Sequence, residues 1–124
     1  MFASSRLSIK ILLAALCCLS AALPAPSLGL AAPPPPLNVV VTIPVLKDLA
    51  QQVGGPHVHV TSLLSGYENE HTYAPKPSDL IAVRKARVLF EVGIGLEIWV
   101  SALVRNAGSP SLLVVTTSDG IGLI

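Results

Sequence analysis

Asn38-Val39-Val40-Val41-Thr42 runs directly into Ile43-Pro44-Val45-Leu46-Lys47-Asp48-Leu49-Ala50-Gln51-Gln52-Val53-Gly54-Gly55. The first five residues hold three successive valines with no polar alternation, the pattern of a strand buried on both faces of a parallel sheet. Thr42 then stands where a helix cap would, and Pro44 where a first turn tolerates proline. Val45, Leu46, Leu49, Ala50 and Val53 recur at spacings of three and four, and Gly54-Gly55 stops the run. A buried strand followed at once by an amphipathic helix is the opening of a βαβ unit.

The alternation continues downstream. Val58, Val60 and Ser62 alternate with His57, His59 and Thr61, so a second strand turns its valines to one side and its histidines to the other. A His-x-His pair on a strand can chelate a metal, although on an exposed face it is usually just solvated. Pro75 and Pro77 exclude regular helix until Ser78, which is then the predicted cap of a second helix. Asp79 falls in its first turn, Leu80, Ile81, Val83 and Ala86 supply its apolar stripe, and it runs to about Arg87. Residues 88–92 form a third apolar strand, with Gly93-Ile94-Gly95 turning out of it. Leu96, Trp99, Val100, Leu103 and Val104 mark a third helix, stopped at Asn106 and Gly108, with Trp99 and Leu103 in the core. Residues 111–116 are a fourth strand, followed by a turn at Ser118-Asp119-Gly120. The order predicts an α/β fold, a mostly parallel sheet with flanking helices.

Upstream the character changes. Arg6 and Lys10 precede an apolar run over residues 11–23, and small residues and prolines lead to Leu30-Ala31-Ala32. This is the order of a secretory signal, and a run of 13 positions falls short of the roughly 20 that span a bilayer. Residues 1–32 are therefore expected to be a signal peptide, cleaved after Ala25, Ala31 or Ala32, with residues 33–37 a stiff proline-rich lead-in. Cys17 and Cys18 both fall within the signal, so residues 33–124 offer neither disulfide nor thiolate. Leu16 before Cys17, and Cys17 before Cys18, replace the small residue that lipid attachment wants, which favours a soluble exported protein.

Without Arg6 and Lys10, six Lys/Arg face seven Asp/Glu, a balance that points to no nucleic-acid or anionic-membrane partner. The third glycine of a dinucleotide fingerprint would fall at Ile98, and no phosphate loop is present. No serine or histidine stands in an elbow or triad context, so no enzyme is expected.

His71 is the chemically interesting residue. It lies in Glu68-Asn69-Glu70-His71-Thr72-Tyr73-Ala74-Pro75-Lys76-Pro77-Ser78-Asp79, a loop after a strand, where open α/β sheets gather ligands. Neutral imidazole suits Zn²⁺ and similar ions, and Glu68 or Glu70 could orient its second nitrogen or add oxygen ligands. From spacing alone, a polar loop histidine is the simpler reading.

Taken together, "VVVTIPVLKDLAQQVGG", "VTSLLSG", "HTYAPKPSDL", "ARVLFEVGIGLEIWV" and "LLVVTTSDGIGLI" resemble the amino-terminal part of the periplasmic solute-binding proteins of ABC importers for zinc and manganese. The resemblance spans residues 39–124. His71-Thr72-Tyr73 with Pro75, Pro77, Ser78 and Asp79 is similar to the family signature "PHTYEPTPSD", whose histidine is a metal ligand; the resemblance implies that role for His71. Glu70 replaces the usual proline, Ala74 a common acidic residue and Val92 the usual asparagine before "GLGLE.WL". The family has two α/β lobes joined by a long helix, with zinc or manganese clamped between them for delivery to a permease of the inner membrane. The resemblance implies a periplasmic location and makes residues 38–124 part of the amino-terminal lobe, with the remaining ligands further along than Ile124. The alternative is an exported α/β structural or interaction domain that has lost metal transport.

Overall fold

The structure is a computed structural model that describes residues 32–122. The signal peptide expected over residues 1–32 falls, but for Ala32, outside those residues, as do both cysteines. The described residues from Pro34 onward form one compact unit.

Its elements are β1 (Leu37–Val41), α1 (Pro44–Gly54), a 3-10 turn (Gly55–His57), β2 (Val58–Ser62), α2 (Pro77–Lys85), β3 (Val88–Glu91), α3 (Val100–Ala107) and β4 (Leu113–Thr116). The four strands form one sheet in the order β2-β1-β3-β4, and every pair is parallel. The expected α/β architecture is therefore the one observed. β1 sits inside the sheet, which is why Val39, Val40 and Val41 are all buried and why this strand carries no polar alternation.

The chain steps outward from β1 to β2 through α1, then crosses back over β1 to β3 through α2. Reversing direction with crossovers of one hand places helices on opposite faces. Val39, Val41 and Val60 pack with Leu46 and Ala50 of α1 on one face. Val40 and Leu89 pack with Val83 of α2 and Val100, Leu103 and Ala107 of α3 on the other. The reversal makes a switch point between β1 and β3, and the loops leaving β1, β2 and β3 meet at its carboxyl edge.

Local differences from the sequence expectations have identifiable causes. Thr42 does not cap α1; Ile43 holds that position, and the Thr42 hydroxyl instead donates to Glu97 Oε1 at 2.6 Å. Ser78 is not the cap of α2 either. Pro77 opens that helix as its first residue, where its missing N–H and fixed φ cost nothing, and Lys76 stands at the N-cap. The helix ends at Lys85 because Arg87 N–H already donates to Asn38 O in the sheet. α3 begins at Val100, not Leu96, because the Glu97 carboxylate folds back onto the Val92 and Gly93 N–H groups and holds residues 93–97 in a turn. Of the stripe assigned to α1, only Leu46 and Ala50 meet the sheet; Val45, Leu49 and Val53 are exposed, as is Ile81 of α2.

Candidate functional site

The loop between β2 and α2 is ordered by its own polar side chains. Glu68 Oε2 accepts the Ser65 hydroxyl at 2.8 Å and the Ser65 N–H at 2.9 Å. Those two bonds, the hydroxyl first, hold its carboxyl well below the usual range, at about 2. Asn69 Oδ1 accepts the His71 N–H at 2.9 Å and the Thr72 N–H at 3.3 Å, an Asx turn that sets the backbone at the histidine. His71 itself is exposed.

The far side of the loop is anchored more deeply. Tyr73 is buried and its hydroxyl donates to Asp79 Oδ2 at 2.7 Å, an oxygen that also accepts the Lys76 N–H at 2.7 Å. Asp79 thus acts as the acceptor at the start of α2, the role expected of Ser78. Burial in the first place, and the Asp79 carboxylate in the second, push the Tyr73 phenol up to about 12. The Tyr73 ring lies 5.0 Å from that of Trp99, tilted by 60°. Trp99 Nε1 donates to Glu70 O at 2.7 Å, reaching the residue before His71 from 29 positions away.

Next to this loop lies the switch point. The buried Glu97 carboxylate accepts the Thr42 hydroxyl from the end of β1 and the Val92 and Gly93 N–H groups from the end of β3. A carboxylate hidden from water needs such donors, and here they tie the two central strands together. The adjoining turn has three successive residues at positive φ: Gly93 at 82°, Ile94 at 48° and Gly95 at 80°. Alanine at Gly93 would also drive its Cβ into Thr116 and Ser118.

The structure does not gather the suggested ligands around His71. Glu68 is engaged by Ser65, and His57 and His59 are exposed at the opposite end and outer edge of the sheet's β2 strand. Among the described residues no group of three or more His, Cys, Asp or Glu side chains is placed to hold a metal ion. The arrangement offers one exposed imidazole on a braced loop at the ligand-binding edge of an open sheet. Sequence reasoning missed Asn69, Glu97 and the reach of Trp99. Only Asn69 had a local signal, an Asx residue two positions before the turn residue whose N–H it accepts. Thr42, which Glu97 binds, and Glu70, which Trp99 binds, are 55 and 29 positions away in sequence.

An open α/β sheet with a switch point and a histidine-bearing loop at its carboxyl edge is the framework of a ligand-binding lobe. The family of the periplasmic zinc-uptake complex component A (ZnuA) matches residues 39–124, and the chain belongs to that family. It is 34% identical over 88 residues to the manganese-binding lipoprotein MntA of Halalkalibacterium halodurans, covering 70% of this chain and 29% of that protein. It is 31% identical over 93 residues to the iron ABC transporter substrate-binding lipoprotein MtsA of Streptococcus pyogenes serotype M1, covering 71% of this chain and 30% of the relative. A crystal structure of ZnuA superimposes with a TM-score of 0.65 at 28% identity, over 72% of this chain and 34% of that one. The chain thus spans about 30% of the length of each of these two curated relatives.

Proposed function

We propose that this chain is the amino-terminal part of a solute-binding protein that captures a divalent transition metal outside the cytoplasm for an ABC importer. His71 is one ligand, with the rest supplied by sequence that this chain does not contain. The observation that carries the reading is the presentation of His71: exposed, on a loop fixed on both sides, at the carboxyl edge of a sheet whose family takes up metal. Binding is non-catalytic, with imidazole and carboxylate donors replacing the ion's water. The permease partner, the extracytoplasmic location and the signal peptide over residues 1–32 belong to the same proposal.

Relatives named for manganese and for iron, beside a ZnuA structure, fit a site whose metal preference is set by donors other than His71. Manganese sites favour oxygen donors and zinc sites imidazole. Calorimetric titration of the chain with Zn²⁺ and with Mn²⁺ tests the reading. One imidazole without a closed four-ligand site predicts zinc binding weaker than about 1 μM that disappears in His71→Ala. Zinc binding unchanged by that substitution would remove His71 from the site.

One observation favours a second reading, an exported interaction domain without transport. The face of the sheet next to α1 carries an apolar groove of about 360 Å³ lined by Val39, Leu46, Leu49, Val53, Val88 and Phe90. Apolar surface of this kind marks association when nothing covers it.

A further inference from the structure

The residue that connects the candidate ligand to the hydrophobic core is Trp99. Its indole N–H donates to the carbonyl of Glu70, immediately before His71, at 2.7 Å. Its ring packs at 5.0 Å against Tyr73, two residues after His71. Tyr73 is in turn fixed by its hydroxyl bond to Asp79. A single side chain at the N-cap of α3 therefore contacts the chain on both sides of the imidazole, the backbone at Glu70 and the ring at Tyr73, while Asn69 sets the N–H of His71 itself. The neighbouring residues 70 and 73 are pinned to an element formed 26 or more positions later, so the loop cannot move without breaking a hydrogen bond or parting two rings.

We propose that Trp99 is a positioning residue for metal capture: it touches no metal, and it fixes the loop geometry from which His71 binds one. The inference rests on the reading of His71 as a ligand. It further requires that a hydrogen bond to Glu70 O matters to the metal because His71 is covalently next to it. A preorganised donor loses less freedom on binding than a mobile one, so removing the bond weakens binding without removing any ligand.

The test uses the full chain and Zn²⁺. Trp99 is the one tryptophan of the sequence, so tryptophan-labelled protein gives a single indole N–H resonance. That resonance should be protected from solvent exchange and should shift along the zinc titration, and the shift should vanish in His71→Ala. Trp99→Phe keeps a ring against Tyr73 and deletes the donor; loss of one net hydrogen bond predicts about fivefold weaker zinc binding. In a His71→Ala background the same substitution should change nothing further. If Trp99→Phe leaves affinity intact while His71→Ala abolishes it, the positioning role is wrong and the ligand reading stands. An equal effect of Trp99→Phe with and without His71 makes Trp99 merely structural and also overturns the proposal. Unchanged zinc binding in His71→Ala alone defeats the ligand reading itself. Should Trp99→Phe fail to fold, an indole resonance that exchanges freely, or stays fixed while the His71 ring responds to zinc, overturns the proposal in the unmodified protein.

Discussion

At the scale of single residues, the loop around His71 is held by carboxylates whose protonation can be followed directly. Glu68 has a folded-state value of about 2 against an ordinary 4.5, so it contributes stability above pH about 4.5 that is lost as pH falls toward 2. Ser65→Ala removes the main cause, and the carboxyl resonance of Glu68 should then titrate nearer its ordinary value; an unmoved titration would mean that Ser65 is not the cause. Tyr73 works in the opposite direction. Its phenol is raised from 10.0 to about 12, so the unfolded chain gives up its proton first and stability falls as pH climbs between those values. Tyr73→Phe should flatten that alkaline loss in chemical denaturation. At neutral pH it should cost about 1.5–3 kcal/mol, the range for a hydrogen bond to a charged acceptor.

At the scale of elements, the sequence showed the strands and helices well because their signals are local. The valines of β1 announce burial on both faces, and Leu103 with Val100 announces the inner side of α3. The cap of α1 was misassigned because the side chain had a distant commitment. Thr42 looked like a cap, but its hydroxyl is bound by Glu97, 55 residues away, and no pattern along the chain encodes that pair. Thr42→Val should therefore destabilise the protein by about 2 kcal/mol, more than a surface cap would, because it strips a donor from a buried carboxylate. Urea unfolding measures it, and a change below about 0.5 kcal/mol would show the pair to be dispensable. The turn after β3 is the complementary case. Ile94 is β-branched and exposed yet sits at φ 48°, so Ile94→Gly should raise stability by about 0.5–1 kcal/mol in the same assay. A loss of stability there would mean that the Ile94 side chain makes a contribution larger than its strain.

At the scale of the whole molecule, the fold is half of an argument about metal. The parallel sheet and the loop that carries His71 were legible in the sequence, the first from periodicity and element order, the second from a motif resemblance; the strand order that makes the switch point came only with the structure. Which donors join His71 was not, since Glu68 is turned to Ser65 and no three candidate ligands meet among the described residues. Among the described residues the sheet face beside α1 is also incompletely covered, with Val53 and Leu113 exposed. If that surface associates, analytical ultracentrifugation will show a concentration-dependent oligomer that Val53→Lys with Leu113→Lys disperses; a monomer at all concentrations would leave the interaction-domain reading without support. Whether His71 and not the His57/His59 pair receives the ion is read from the long-range proton–nitrogen spectrum of the three imidazoles during titration with Zn²⁺. The ring nitrogens of His71 should shift with added metal while those of His57 and His59 stay in place. A spectrum in which His57 and His59 shift together and His71 does not would contradict it.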